Sequence, residues 1–421
     1  MLVFKFGGAS VKSADAVKNV AKIISLFPKE KKVVVVSAMG KTTNAMEEIV
    51  DALWANNHES FRYLVDQVYQ YHVDICLKLF PEQHEKLNTF IDSLFENLFT
   101  KISQPISENF DFVYDQIVSL GEILSTKIVE SYLLEQTEKA IWLDARLCIR
   151  TDNTYRNGSV DWSKTQELIS AAVKPLIKSS DTIITQGFIG STTEGLTTTL
   201  GREGSDYTAG IFAYCLEAKS VTIWKDVPGM LNADPKWFDE TIKLNQISFQ
   251  EAIELAYYGA TVIHPKTIKP LQNKNIPLYV KSFVDPYAEG TQISASIEFD
   301  HLVPSFIFKM NQTKVSIIPK DFSFIAEENL SHLFEVLSQA GVQINLMQNS
   351  AISFDFVIDN KPNIIKDLFE NLEKDFVISV EEGFELVTIR HYDQQTIDRV
   401  TVDKKIVLIQ KSEQTARILM R

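Results

Sequence analysis

Residues 2–44 read LVFKFGGASVKSADAVKNVAKIISLFPKEKKVVVVSAMGKTTN, and their pattern decides the fold. The apolar run at 2–6 stops at Gly7-Gly8, as a strand entering a turn would. Residues 14–26 place their apolar side chains at helical spacing. Four consecutive valines at 33–36 suit a strand buried on both faces of a parallel sheet. Strand, helix and strand in that order predict an α/β fold built as three layers around a largely parallel sheet.

Outward from that stretch, the pattern changes at about residue 51. Through WANNHESFRYLVDQVYQYHVDICLKLF (54–80) and EKLNTFIDSLFENLFTKI (85–102), large apolar residues recur at three- and four-residue intervals. Residues 51–134 are therefore expected to be a largely helical insertion of two or three amphipathic helices. Strand character resumes at 140–143, 182–185 and 220–224. From 314 the chain reads strand (KVSIIP), helix (ENLSHLFEVLSQAG), two strands (VQINLMQ, AISFDFVID), helix (PNIIKDLFENLEKD) and strand (FVISVEE). That is a ferredoxin-like βαββαβ unit at 314–383. Residues 384–421 read as three strands and a closing helix, EQTARILMR, a truncated second copy without its first helix. The domains expected are 1–300 and 304–421.

Composition narrows the function. Hydrophobic residues at 45% and charged residues at 23% exclude global disorder in a chain of 421. A formal charge of −13 argues against nucleic-acid and anionic-membrane partners. No apolar run reaches membrane-span length, no leader pattern opens the chain, and the three cysteines form no pair at metal or disulfide spacing. A cytoplasmic protein is expected.

Several motifs carry chemistry. Lys5-Phe6-Gly7-Gly8-Ala9-Ser10 places two glycines and a lysine where backbone amides can approach an anion, or else forms only a tight turn. Ser37 through Asn44 holds Gly40-Lys41-Thr42, the end of a phosphate-loop motif. Val35 stands where that motif needs its first glycine, so it is a near miss. Thr197-Thr198-Thr199-Leu200-Gly201-Arg202-Glu203-Gly204-Ser205-Asp206 brings an arginine suited to a carboxylate next to a helix start. Asp206 is also placed to cap that helix. Glu122 in SLGEILST (119–126) suits a substrate ammonium or merely the helix dipole. His264 has no second histidine at ligand spacing, so neither a metal cluster nor a catalytic triad is expected.

Together these motifs resemble the aspartate kinases of the amino-acid kinase family. KFGGAS, VVVVSAMGKTTN, SLGEILST, ITQGFIG, TTTLGREGSDYTA, WKDVPGMLNADP and YYGATVIHP carry the resemblance in chain order, from residue 2 to about 390. It implies transfer of the ATP γ-phosphoryl group to the side-chain carboxylate of L-aspartate, with Mg²⁺, at the entry to lysine, threonine and methionine synthesis. Matched by position, Lys5, Gly7, Gly8 and Ser10 would hold phosphates with Ser37 beside them. Thr43, Glu122, Arg202 and Ser205 would hold aspartate, assisted by the amides of Glu203 and Gly204. Asp206 would organise the reacting centre, with Lys5. Lys225, Asp226, Leu231, Lys236, Thr261 and Val262 would contact the nucleotide. The C-terminal region resembles the paired ACT units of these kinases, which implies a homodimer and an amino-acid effector.

The chain departs from the family at three places. Thr261 stands where many relatives have lysine, and Lys225 is a candidate to supply that charge. Glu203 replaces a common glycine. Asn345 stands where lysine-sensing relatives carry an acidic residue, leaving Asn345, Gln348 and Asn349 as neutral candidates for an effector. The alternatives are a kinase acting on glutamate or a nucleotide, and a non-catalytic amino-acid sensor.

Overall fold

The structure is a computed structural model that describes residues 1–421 except 83, 137–138, 261–262, 322, 326 and 362–371. Two compact units emerge. One comprises Met1–Met230, Lys243–Ile253 and Thr261–Phe299; the other comprises Leu231–Ile242, Glu254–Ala260 and Asp300–Arg421.

The first unit is built on β1 (Leu2–Phe6), α1 (Ala14–Ser25) and β2 (Lys32–Val36), the βαβ read from the opening residues. Ser13 caps α1 by accepting a hydrogen bond from the Ala16 amide, and Val17, Val20, Ile23 and Ile24 are its buried face. Every residue of β2 is buried, as a strand covered on both sides requires. Five helices follow: α2 (Thr42–Trp54), α3 (His58–Leu79), α4 (Glu85–Thr100), α5 (Phe110–Val118) and α6 (Leu120–Glu135). No strand interrupts them among the described residues.

The sheet then resumes with β3 (Ala140–Leu143), α7 (Trp162–Ser179), β4 (Thr182–Gln186), the hairpin β5 (Ile189–Ser191) and β6 (Thr197–Thr199), α8 (Gly204–Leu216) and β7 (Ser220–Lys225). After β8 (Gln246–Ser248), α9 (Phe249–Tyr258) and α10 (Pro265–Asn273), β9 (Leu278–Ser282) and β10 (Thr291–Ser294) complete eight strands in the order β3-β4-β2-β1-β7-β9-β10-β8. From β3 to β9 all neighbours are parallel. Parallel strands end on one edge, so Gly7, Ser37 and Gly187, which follow strands, and Lys225, which ends one, lie on the same side of the sheet, where open α/β sheets hold ligands.

Two side chains of α3 tie the helical block to that edge. The Tyr71 hydroxyl donates to the Lys12 carbonyl at 2.7 Å, and the buried His72 lies 3.4 Å from the Thr42 hydroxyl. Burial pulls His72 down to about 4 against the opposing effect of its bond to the Val68 carbonyl, so the ring is neutral. His264 caps α10, accepting from the Lys266 amide, which is a structural use of that histidine. The three cysteines are free and buried. No helix among the described residues is long and apolar enough to cross a membrane.

The second unit carries a six-stranded sheet. Its elements are β11 (Ser305–Pro319), α11 (Glu327–Gln339), β12 (Leu346–Asn349), β13 (Phe354–Asp359), β14 (Phe376–Arg390), α12 (Gln394–Thr401), β15 (Ile406–Lys411) and β16 (Thr415–Met420). The strand order is β12-β13-β11-β14-β16-β15. The expected helix at 362–375 falls mostly outside the described residues. β11 and β14 pair along nearly their whole length, broken by register shifts around Gln312 where Asn311 has φ 51° and Gly383 φ 80°. On either side of this break lie separate apolar clusters, one around Val315, Phe356 and Leu333 and one around Phe306, Ile389 and Ile418.

Two expectations for the tail are corrected. The segment EQTARILMR is not a helix: Thr415–Met420 forms β16, paired to both β14 and β15. Residues 384–421 are not a copy lacking its first helix either, because α12 follows β14 directly. The Asp393 side chain accepts from the Thr396 amide while the Thr396 hydroxyl accepts from the Asp393 amide, a reciprocal cap that starts this helix. The 383/384 boundary also falls inside the single strand β14.

Asn345 is not free for a ligand. Its buried amide accepts from Lys309 Nζ at 2.7 Å and donates to Gln312 at 2.7 Å and Asp359 at 2.8 Å. Gln348 and Asn349 remain exposed on β12.

Candidate active site

At the carboxyl ends of the strands lies a cavity of about 560 Å³ in the first unit. It brings together Lys5, Gly8, Ser37, Thr43, Glu122, Arg202, Glu203, Gly204, Ser205, Asp206 and Lys225 from the residues singled out in the sequence. These come from five separate stretches of chain, so their convergence is a property of the fold.

The floor is made by two loops locked together. The Ser37 amide donates to the Phe6 carbonyl and the Gly40 amide to the Gly8 carbonyl, each at 3.0 Å. Gly8 is required by contact: a Cβ there would sit 2.7 Å from the Gly40 carbonyl oxygen and 2.9 Å from that of Ala38. The Ser10 hydroxyl is buried and has no partner among the described residues. Lys41 is exposed and lies outside the cavity lining, which removes the phosphate-loop reading.

One wall carries charge. Asp206 is buried at the third position of α8, where it does not cap the helix; Glu203 occupies the cap position with φ 54°. That left-handed backbone explains why glycine suits this position. Instead, one Asp206 oxygen lies 2.6 Å from Lys5 Nζ and the other 3.6 Å from Lys225 Nζ. The shorter contact is an ion pair angled away from hydrogen-bond geometry. Two ammonium groups thus converge on one carboxylate at the strand ends. Gly187 allows α8 to approach this closely, since a Cβ there would come within 2.5 Å of the Ser205 side chain.

On the same lining, Glu122 is buried in the first turn of α6. One oxygen accepts from the Ala38 amide at 3.4 Å; the other has no partner among the described residues. Burial pushes this carboxyl up to about 8, with the Ala38 amide and Lys5 pulling the other way. A buried, half-satisfied carboxylate facing a cavity is a site for a cation. Arg202 lines the same cavity and is largely exposed.

The chain is related over most of its length to proteins of known activity. Residues 1–282 match the amino acid kinase family. Over 401 residues the chain is 31% identical to lysine-sensitive aspartokinase 3 of Escherichia coli K12, covering 92% of this chain and 86% of that one. The chain belongs to the aspartate kinases of the amino acid kinase family. Chloroplastic aspartokinase 1 of Arabidopsis thaliana is 30% identical over 406 residues, covering 92% and 70%. This aspartate kinase also matches the crystal structure of E. coli aspartokinase III in complex with aspartate and ADP. The TM-score is 0.82 at 28% identity, over 100% of this chain and 96% of that one. The α/β fold with its C-terminal ACT-type region follows from the same comparison.

Other expected residues are placed less directly. Gly7 and Ser10 belong to the locked loop without lining the cavity, and Asp226 is exposed outside it. Leu231 and Lys236 belong to the second unit. Thr261 and Val262 lie outside the described residues. Glu47, Tyr114, Arg156 and Phe188 line the cavity without having been singled out. Glu47 had a signal, standing one helical turn after Thr43. Arg156 had none, because the turn that carries it, TDNTYRNG, reads as loop.

Proposed function

We propose that this aspartate kinase transfers the γ-phosphoryl group of ATP to the side-chain carboxylate of L-aspartate, with Lys5 and Asp206 at the reacting centre. The observation that carries the assignment is the set of charged groups that one cavity gathers. Lys5 and Lys225 gather at Asp206, while Glu122 offers an unpartnered buried oxygen and Arg202 a guanidinium on the same lining. A phosphate chain needs the first group; an amino acid needs the second. Phosphoryl transfer rests on alignment and charge neutralisation, so no nucleophilic side chain is required.

Lys5 and the loop at Gly7, Gly8, Ser10 and Ser37 would hold phosphates. Glu122 would take the substrate ammonium and Arg202 a carboxylate, with Thr43, Ser205 and the amides of Glu203 and Gly204 beside them. Lys225, Asp226, Leu231, Lys236, Thr261 and Val262 are assigned to the nucleotide, with Lys225 supplying the cation that Thr261 does not. Among the described residues no three metal-binding side chains cluster. The donor set therefore fits Mg²⁺ arriving on the nucleotide, with Asp206 as its single carboxylate, rather than a protein cage. The ion would neutralise charge on the transferring phosphoryl group.

Hydroxylamine trapping of the acyl phosphate tests the reading. Glutamate should react far less than aspartate, since an extra methylene misplaces the carboxylate, and about 1 Å of misplacement can cost roughly a hundredfold. Equal hydroxamate from both would refute it. The same assay should show the state of Glu122. Its carboxyl is protonated below about 8 in the free protein, and a bound ammonium favours the ionised form. Aspartate binding then releases a proton, so KM should fall by up to about tenfold per pH unit toward 8 and level off above it. Glu122→Gln should flatten that profile; a pH-independent KM in the unaltered enzyme would show that Glu122 does not meet the ammonium.

A homodimer joined through residues 304–390 is proposed for the ACT-type region, with weak inhibition by lysine or threonine. In support, the Asn345 amide is already engaged by Lys309, Gln312 and Asp359. Sizing at micromolar concentration should give a dimer. Submillimolar lysine should leave most activity; strong inhibition would overturn this reading.

A further inference from the structure

We propose that Arg156 is a second carboxylate clamp, binding the α-carboxylate of the substrate together with Arg202 and so helping to set specificity. The inference rests on the reading of the cavity as an aspartate site. Arg156 lines that cavity, yet its backbone has φ 62°, a region costly for a side chain other than glycine. The surroundings hold it there. Its amide reaches both oxygens of Asp115, at 3.2 and 3.0 Å, and the buried Asp115 also accepts from the Thr199 amide at 2.9 Å and the Thr199 hydroxyl at 2.7 Å. One buried carboxylate thereby bolts the Arg156 turn to β6, the strand that leads into the Arg202 loop.

The same turn abuts that loop directly. A Cβ on Gly201 would lie 2.7 Å from the Asn157 side-chain oxygen and 3.3 Å from the Arg156 carbonyl. The Arg156 turn is therefore packed against the start of the Arg202 loop. Its guanidinium lies over the Tyr114 ring at 4.4 Å, and the Tyr114 hydroxyl is fixed by a 2.6 Å bond to Glu47. The ring gives the fork a platform. The guanidinium's ionic partner is Asp111, at 3.3 Å, and both side chains of that pair are about half exposed. Such a pair is weak, so a carboxylate held in two-point geometry inside the cavity can displace it.

The test compares L-aspartate with its α-amide, which keeps the ammonium and the reacting carboxylate but removes the α-charge. Hydroxamate formation is measured for the unaltered enzyme, Arg156→Gly and Arg156→Lys. Glycine accepts the left-handed backbone, so the fold survives, and thermal melting verifies it. Arg156→Gly should raise KM for aspartate about tenfold, equivalent to ~1.4 kcal/mol, with a much smaller change in kcat. On the α-amide the same substitution should change kcat/KM by less than about twofold, and Arg156→Lys should recover part of the aspartate loss. Equal losses on both substrates, an unchanged aspartate KM, or a loss confined to kcat would each overturn the proposal. If the unaltered enzyme makes no hydroxamate from aspartate, the functional reading fails instead.

Discussion

Lys5→Ala is expected to lower kcat by on the order of a hundred- to a thousandfold, with KM for aspartate nearly unchanged. Removing one preorganised positive donor from a transferring centre has effects of that size. Lys5 is held at the end of β1, largely buried, and 2.6 Å from Asp206. Its charge is in place before reaction and needs no rearrangement as the phosphoryl group departs. Without it, Asp206 keeps the more distant Lys225 and turns a less compensated negative charge toward the phosphates. Arg202→Ala should show the opposite signature, mainly a higher KM for aspartate, because a clamp acts equally before and during transfer. Lys41→Ala should stay within about twofold, as suits an exposed side chain outside the lining. Steady-state kinetics on the three variants separates these roles. A Lys41 effect exceeding that of Lys5 would move the phosphate site to the other loop.

Gly8→Ala should be nearly as damaging, by a different route. The added methyl would meet two backbone oxygens, those of Gly40 and Ala38, at 2.7 and 2.9 Å. Neither can swing away as a side chain could. The loops at 7–11 and 37–41 must separate, and a shift near 1 Å can cost about a hundredfold in rate. Overpacking of this kind also destabilises by about 1–3 kcal/mol. Gly7→Ala is the comparison, since its methyl would meet only the Lys5 ammonium at 3.3 Å. Melting temperature and kcat/KM together report the outcome. A Gly8→Ala enzyme with unaltered kcat/KM would mean that the locked loops do not shape the phosphate site.

Much of the first unit was legible because its signals are local. The four valines suited a strand covered on both faces, and the helical spacing of residues 14–26 marked α1. Lys5, Glu122, Arg202 and Asp206 stood out as charges set among glycines and helix starts. Asp206 carried two readings, and the start of α8 at Gly204, which makes Glu203 the cap, decided against the second. Arg156 was hidden because its importance lies in contacts with Asp115 and Tyr114, both on α5 and distant in the chain.

The tail misled for a physical reason. In β16, Ala416, Ile418 and Met420 face one apolar cluster while Leu419 faces another. A strand buried on both faces loses its alternation, and ARILM then imitates a helix. The helix that does form, α12, was announced by its cap rather than by apolar spacing.

The length of β11 and β14 has a mechanical consequence. Each strand continues through both halves of the six-stranded sheet, so neither half owns its central pair. Pulling one half open frays the hydrogen-bond ladder on which the other depends. The two apolar clusters on either side of the break should therefore melt as one cooperative body. Shared strands leave no seam along which this region could be cut into two self-supporting pieces.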